Sequence, residues 1–292
     1  MMKRKPSDIV ADVFIYALIT VLSLVCIIPF LQVLAVSISG SGAVMANQVF
    51  LIPKDITFDA YVQVFKDASL MNSMWYSILV TIAFTVLGML LTICGAYALS
   101  RKRLKGRGVV GVIFLITMYF SAGTIPDYIV FKELNIINTA YVLILPLAFS
   151  AYNLIILRTF MTSGIPASIE EAAQIDGCND FRILFRIVLP LSVPVLATLT
   201  LFYAVGRWNS FQDSLYFVTN PKLQFIQHKL NNLINPAGSN GAVSQETGVE
   251  KMQYPEVMKS ACIMFATIPI VIVYPFIQKY FVKGVMIGAV KE

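Results

Sequence analysis

The chain has 292 residues, 58% of them hydrophobic and only 13% charged, with a mean hydropathy of +0.76. A soluble domain carries about 25% charged residues, so this composition excludes that class and points to an integral membrane protein. The formal charge of +6 does not indicate a nucleic-acid partner, because no run interleaves basic and aromatic groups. Cys26, Cys94, Cys178 and Cys262 stand singly without a CxxC pair, which supports neither a disulfide framework nor a zinc site. His228 is the lone histidine, so a His-based metal site is not expected either. Its polar surroundings in the sequence make solvation the expectation.

Lys3-Arg4-Lys5 precedes an apolar run from about Val13 to Val36. A cleaved signal peptide has an apolar core of about 7–15 residues, so this longer run reads as a retained first span with its N-terminus in the cytoplasm. Residues 37–71 are polar and rich in turn formers. The second run, about Met74 to Leu99, ends on Arg101-Lys102-Arg103-Leu104-Lys105-Gly106-Arg107, with five basic residues and no acid. That is a cytoplasmic marker under the positive-inside rule. The third run goes from Val109 to about Ile125 and stops near Gly123 and Pro126. A short loop with Asp127, Lys132 and Glu133 leads to the fourth, about Ala140 to Leu157. The fifth covers Ile187 to Val205 and the sixth about Ala261 to Ile277. Each meets or approaches the roughly 20 residues that a spanning helix needs.

The expected class is therefore an all-α membrane protein with six transmembrane helices. Cytoplasmic termini place fourteen of the 22 Lys and Arg inside, whereas inversion would put Arg101 to Arg107 outside. Pro29, Pro146, Pro190, Pro194, Pro269 and Pro275 lie in or at the ends of these runs and read as kinks. No internal repeat is present.

One segment differs from everything around it: Ile165-Pro166-Ala167-Ser168-Ile169-Glu170-Glu171-Ala172-Ala173-Gln174-Ile175-Asp176-Gly177. Pro166 blocks backward extension of a helix, Ser168 with Glu171 fits a capping box, and Gly177 supplies a left-handed stop. Glu170 and Glu171 in the first turn complement the helix dipole. Such a helix, about two to three turns long, is too short to be stable alone and has to lie against something. By itself it would equally suit a helix lying along the bilayer interface.

The pattern continues as Glu171-Ala172-Ala173, three residues, Gly177, nine residues, then Ile187-Val188-Leu189-Pro190. This spacing resembles the EAA loop of the membrane subunits of binding-protein-dependent ABC importers. Further resemblances extend it over nearly the whole chain. Phe50-Leu51-Ile52-Pro53-Lys54 through Tyr61 and Phe65 is similar to the first external loop of carbohydrate permeases, and Asn138-Thr139-Ala140-Tyr141 with Leu145-Pro146 to the start of their fourth helix. Phe281 to Lys291 resembles the tail of the sugar-importer branch, especially its permeases for polysaccharide fragments of the alginate or pectin type.

The resemblance implies a type I ABC importer permease fold with a cytoplasmic coupling helix, in a bacterial inner membrane. It implies that Ser168, Glu170, Glu171, Ala172, Ala173, Asp176, Gly177, Leu189 and Pro190 serve ATPase coupling. Ala172 and Ala173 would keep one face thin, while Ile169 and Ile175 supply apolar grip. Gly288, Ala289 and Lys291 of the tail would touch the ATPases. Residues 1–70 form the first span and external loop, 71–283 carry the remaining five spans with the EAA loop at 165–190, and 284–292 are the cytoplasmic tail. The expected partners are a second, homologous permease, two ATPase subunits and an extracytoplasmic solute-binding protein. No GxxxxGK[ST] occurs, so ATP and magnesium are expected on the ATPases and no cofactor or enzymatic activity here. Gly106 to Gly111 matches GxGxxG but joins a basic loop to a span, without the strand that a dinucleotide site requires.

Two further segments keep two readings each. The 209–260 loop, with Asn235-Pro236-Ala237-Gly238-Ser239-Asn240-Gly241, either faces the binding protein or is a plain surface loop. Arg207-Trp208-Asn209 closes the fifth span. There Trp208 either stacks on a sugar or anchors at the interface, and Arg207 either pairs with a substrate carboxylate or snorkels to headgroups. The implied function is uptake of oligosaccharides, including uronate-containing ones; an amino-acid or peptide permease would share the EAA loop.

Overall fold

The computed structural model describes residues 6–235 and 255–289, with side chains over 11–275 of these, Ala167 excepted. Among the described residues every regular element is helical. In chain order they are α1 (Pro6–Ser37), α2 (Ser41–Met45), α3 (Asp59–Lys66), α4 (Ala68–Ser100), α5 (Arg107–Tyr119), α6 (Thr124–Glu133), α7 (Ala140–Ile144), α8 (Ala151–Ser163), α9 (Ala167–Ile175), α10 (Asp180–Ile183), a π turn (Leu184–Val188), α11 (Leu189–Leu191), α12 (Val193–Asn209), α13 (Gln212–Phe217), a 3-10 turn (Pro221–Leu223), α14 (Ile226–Ile234) and α15 (Glu256–Ala289). The chain divides into two compact units, one of Met1–Met71 with Leu230–Ile268 and one of Asn72–Lys229 with Pro269–Glu292.

Among the described residues three helical stretches are long and apolar enough to cross a membrane: Ala11–Ser37, Ala68–Ser100 and Glu256–Pro275. Two bent pairs bring the number to five. Arg107–Tyr119 and Thr124–Glu133 meet at 114°, and Asp180–Leu191 and Val193–Asn209 at 84°. The third and fifth apolar runs are thus broken rather than straight, and Asp127, Lys132 and Glu133 lie on α6 rather than in a loop. The fourth run is broken too. α7 ends at Ile144, with Leu145 as its C-cap before Pro146, which has no N–H to continue the ladder, and Ser150 restarts the chain by accepting the Asn153 N–H at 3.3 Å.

In the first unit α1 exposes apolar side chains on every side, from Val13 to Leu31. A helix apolar all round needs a nonaqueous neighbour, lipid or protein. Its C-terminal end is fixed by polar contacts: the Ser37 and Tyr61 hydroxyls bond at 2.8 Å, and Ser39 accepts the Lys54 N–H at 3.2 Å. Phe65 meets Phe265 edge to face at 5.3 Å.

In the second unit the part of α4 beyond Met71 packs closely against its neighbours at Gly88. A Cβ at Gly88 would stand 2.8 Å from the Ala148 carbonyl and 2.9 Å from the Tyr203 ring, so only glycine permits this approach. The Tyr203 hydroxyl then bonds Thr92 at 2.7 Å and accepts the Ser150 N–H at 3.2 Å, which ties α12 to α4 and to the break before α8. One turn toward the end of α4, Ala96, Leu99, Leu154, Leu157 and Leu199 belong to one buried apolar cluster.

Candidate functional site

The cluster at the end of α4 supports the 165–190 segment. α9 begins two residues earlier than expected, with Pro166 at the N-cap in an extended conformation and no side-chain cap. The expected Ser168–Glu171 capping box is therefore absent. Proline at the N-cap has no N–H for Glu171 to reach, and Ser168 falls inside the first turn. The C-terminus follows expectation: Gly177 adopts φ +79°, its N–H reaches the Gln174 carbonyl at 3.0 Å, and the Cys178 N–H reaches Ala173 at 2.9 Å. That pair of bonds is a Schellman stop.

Successive side chains of α9 turn in different directions. Ala173 is 7% exposed and joins Ile165, Leu157, Met161 and Ile183 in the core, while Ala172 is exposed. The two alanines therefore do not share one thin outer face, since neighbours on a helix do not point the same way. The outer surface includes Ser168, Ile169, Glu171, Ala172, Gln174, Ile175 and Asp176, with Ile175 87% exposed. Glu170 turns back and forms an ion pair with Arg101, just after α4. The Arg101 guanidinium also lies 4.3 Å from the centre of the Tyr97 ring. Next to it Arg103 pairs with Asp180, whose carboxylate raises the arginine pKa above its usual value, and the Tyr97 hydroxyl donates to the Asp180 carbonyl at 3.2 Å. Part of the basic loop thus binds the segment to α4.

Beyond Gly177 the chain passes through the π turn. Pro190 cannot donate, and its ring would crowd the carbonyl four residues back in a regular α-helix; a wider turn relieves this. Val188 is buried and Leu189 packs partly against the same core.

The far end of α12 holds a second constellation. Arg207 is 3% exposed, and its Nη1 donates to Asp213 Oδ2 at 2.6 Å. The guanidinium lies 4.9 Å from the Phe84 ring centre and 5.0 Å from that of Phe225. These π faces compensate Nε and Nη2, which have no hydrogen-bond partner among the described residues. Ser210 also donates to Asp213 Oδ2, at 2.9 Å. Arg207 and Asp213 border an open cleft of about 800 Å³ that Phe84, Tyr152, Asn153 and Tyr203 also line. Trp208, buried, borders a different, apolar pocket of about 330 Å³, and Asn209 is exposed. The three adjacent side chains thus face three environments.

His228 is not solvated. It is 4% exposed, with Nδ1 3.0 Å from the Ser214 hydroxyl, and burial followed by the Lys229 charge lowers its pKa. The same serine accepts the Phe225 N–H at 3.3 Å, and Ser77 of α4 accepts the Ile226 N–H at 2.9 Å. This network fixes Phe225 beside Arg207. Of the expected tail contacts, Gly288 and Ala289 lie in the last turn of α15, beyond the residues whose side chains are described, and Lys291 lies outside the described residues, as do the positions from Pro236 to Gly241.

Residues 93–287 match the family described as "binding-protein-dependent transport system inner membrane component". The chain belongs to this family. It is a multi-pass membrane protein, and the matched region contains the whole 165–190 segment. The chain is 41% identical to the polygalacturonan/rhamnogalacturonan transport system permease protein YtcP of Bacillus subtilis (strain 168), over 96% of this chain and 98% of that one. It is 28% identical to the arabinooligosaccharides transport system permease protein AraQ of Halalkalibacterium halodurans, over 99% and 100% of the two chains. Among solved structures, a chain of a bacterial ABC transporter involved in the import of the acidic polysaccharide alginate superposes with a TM-score of 0.85. It is 33% identical, with 96% of this chain and 100% of that chain covered.

Sequence reasoning missed Asp213, Ser210, Phe84, Tyr152 and Asn153. The one available signal was an acid six residues after Arg207, at the edge of an apolar run.

Proposed function

We propose that this chain is a permease subunit of an ATP-driven importer that takes up oligosaccharides, uronate-containing ones included. The observation that carries the reading is the near full-length identity to a polygalacturonan/rhamnogalacturonan permease. The geometry of α9 supports it: one face is held by the core, and the other presents Ile175, Ala172 and Glu171 outward.

On this reading the chain makes six spans in a bacterial inner membrane, with α5–α6, α7–α8 and α10–α12 as broken ones. The basic loop and both termini face the cytoplasm, in keeping with the positive-inside rule. A second permease completes the path, and a binding protein delivers sugar from outside. Two ATPases bind ATP and magnesium, and one of them receives the outer face of α9. Closure of the ATPase pair displaces α9, and the Glu170–Arg101 and Asp180–Arg103 pairs pass the displacement to α4. The permease pair then exchanges an inward-facing cavity for an outward-facing one.

The test is ATPase activity of the complete complex in proteoliposomes, with the binding protein and a panel of neutral and acidic oligosaccharides, amino acids and peptides. Stimulation by oligosaccharides is the expected result. Stimulation by amino acids or peptides alone would overturn the assignment.

A further inference from the structure

A buried arginine beside a cleft invites the reading that it receives an anionic ligand, but the atoms here are arranged otherwise. Arg207 directs Nη1 to Asp213 and covers Nε and Nη2 with the rings of Phe84 and Phe225, so no solvent reaches those two nitrogens. Its charge is answered inside the chain. What the pair offers to the cleft is Asp213, whose side chain is 17% exposed. Both described donors to that carboxylate, Arg207 Nη1 and Ser210 Oγ, use Oδ2. Oδ1 accepts no described hydrogen bond. The carboxylate is therefore fixed in orientation by two donors on one oxygen, while the other oxygen keeps its acceptor capacity.

The walls suit the same ligand. Tyr152 lines the cleft with a half-exposed ring, and Tyr274 does so in the same manner. Asn153, largely buried, adds an amide with both a donor and an acceptor. A cleft of about 800 Å³ holds a few sugar rings, and a mainly apolar lining with a few oriented polar groups is the usual form of a small-molecule site.

We propose that this cleft is a saccharide subsite in which Asp213 Oδ1 accepts a sugar hydroxyl, Tyr152 provides apolar surface for the ring, and Arg207 acts as a positioning residue. The ligand class is a pyranose presenting hydroxyl groups. A uronate unit bound here turns its hydroxyls to Asp213 and its carboxylate away, because two carboxylates at this distance repel. This inference rests on the importer reading above.

The experiment measures labelled oligosaccharide accumulated per ATP hydrolysed in proteoliposomes containing the complete complex and its binding protein. Asp213→Asn keeps the shape and an oxygen for Arg207 but turns an amide toward the cleft. Sugar accumulated per ATP is expected to fall about tenfold, the scale of one lost hydrogen bond to a charged group. Tyr152→Ala, at a half-exposed ring, is expected to lower it about threefold, the scale of one aromatic contact. Values within twofold of wild type for both variants would overturn the subsite while leaving the importer reading intact. If the Asp213→Asn complex is not recovered, Tyr152→Ala decides alone. A wild-type complex that accumulates no saccharide would overturn the importer reading itself.

Discussion

Glu170 of α9 is ion-paired with Arg101 at the end of α4, and the two side chains are only 16% and 11% exposed. Two elements far apart in sequence are thereby held together by one charge pair, backed by Arg103–Asp180 beside it. A short helix that must lie against something is fixed on its inner side by the apolar core and at its edge by these ions.

Removing one partner should therefore cost more than removing an exposed ion pair. Glu170→Ala or Arg101→Ala is expected to destabilise the protein by about 2–3 kcal/mol, below the figure for a fully buried pair because some solvent reaches both groups. The reversed pair Glu170→Arg with Arg101→Glu should recover part of the loss. Thermal unfolding in detergent measures both. Equal stability of the single variants and wild type would mean that the pair holds nothing together.

Gly177 carries the left-handed turn that ends α9. Gly177→Ala places a Cβ in that conformation, at a cost of about 1–2 kcal/mol. The effect should be local, seen as faster amide exchange over 173–180 with little change in α4.

The contact at Gly88 leaves no room for a side chain. Gly88→Ala must push α4 away from the Ala148 backbone and should lower the unfolding temperature by several degrees. Tyr203→Phe, which removes the hydroxyl shared by Thr92 and the Ser150 N–H, is expected to cost about 1–3 kcal/mol through buried groups left without a partner.

Burial of His228 sets a pH dependence. Its folded pKa lies below the ordinary 6.5, so the neutral form is the one that the fold accommodates. The stability contribution is complete above that ordinary value and is lost as pH falls through the lowered folded pKa, because the unfolded chain binds the proton first. Unfolding measured against pH should show this loss in wild type and a flatter profile in His228→Gln. Identical profiles would show that His228 carries no part of the acid sensitivity.

The elements that were legible in the sequence are those governed by local rules. The run before Ser37, the long apolar helix ending at Ser100 and the Gly177 stop follow from hydropathy and from glycine's freedom at positive φ. The bends were not legible as bends. Pro146, Pro190 and Gly123 indicated breaks, but the angles of 84° and 114° depend on what the helix ends pack against. The capping box failed because proline occupied the cap, a competition between two local signals that the sequence alone does not rank. The Arg207 site was legible only as a charge at a membrane edge. Its partner Asp213 and the covering rings of Phe84 and Phe225 come from α13, α4 and the loop before α14, and tertiary contacts of that kind have no periodic signature. His228 was misread for the same reason, since Ser214 reaches it only after the loop folds back.

The proposed coupling of the outer face of α9 to an ATPase depends on its exposed charge. The most direct test replaces the exposed Glu171 with lysine and measures ATP hydrolysis by the complete complex in proteoliposomes, with sugar-loaded binding protein added or omitted. Glu171→Lys protein is expected to insert and assemble in the membrane while stimulation by the loaded binding protein disappears. Stimulation equal to that of wild type would contradict it.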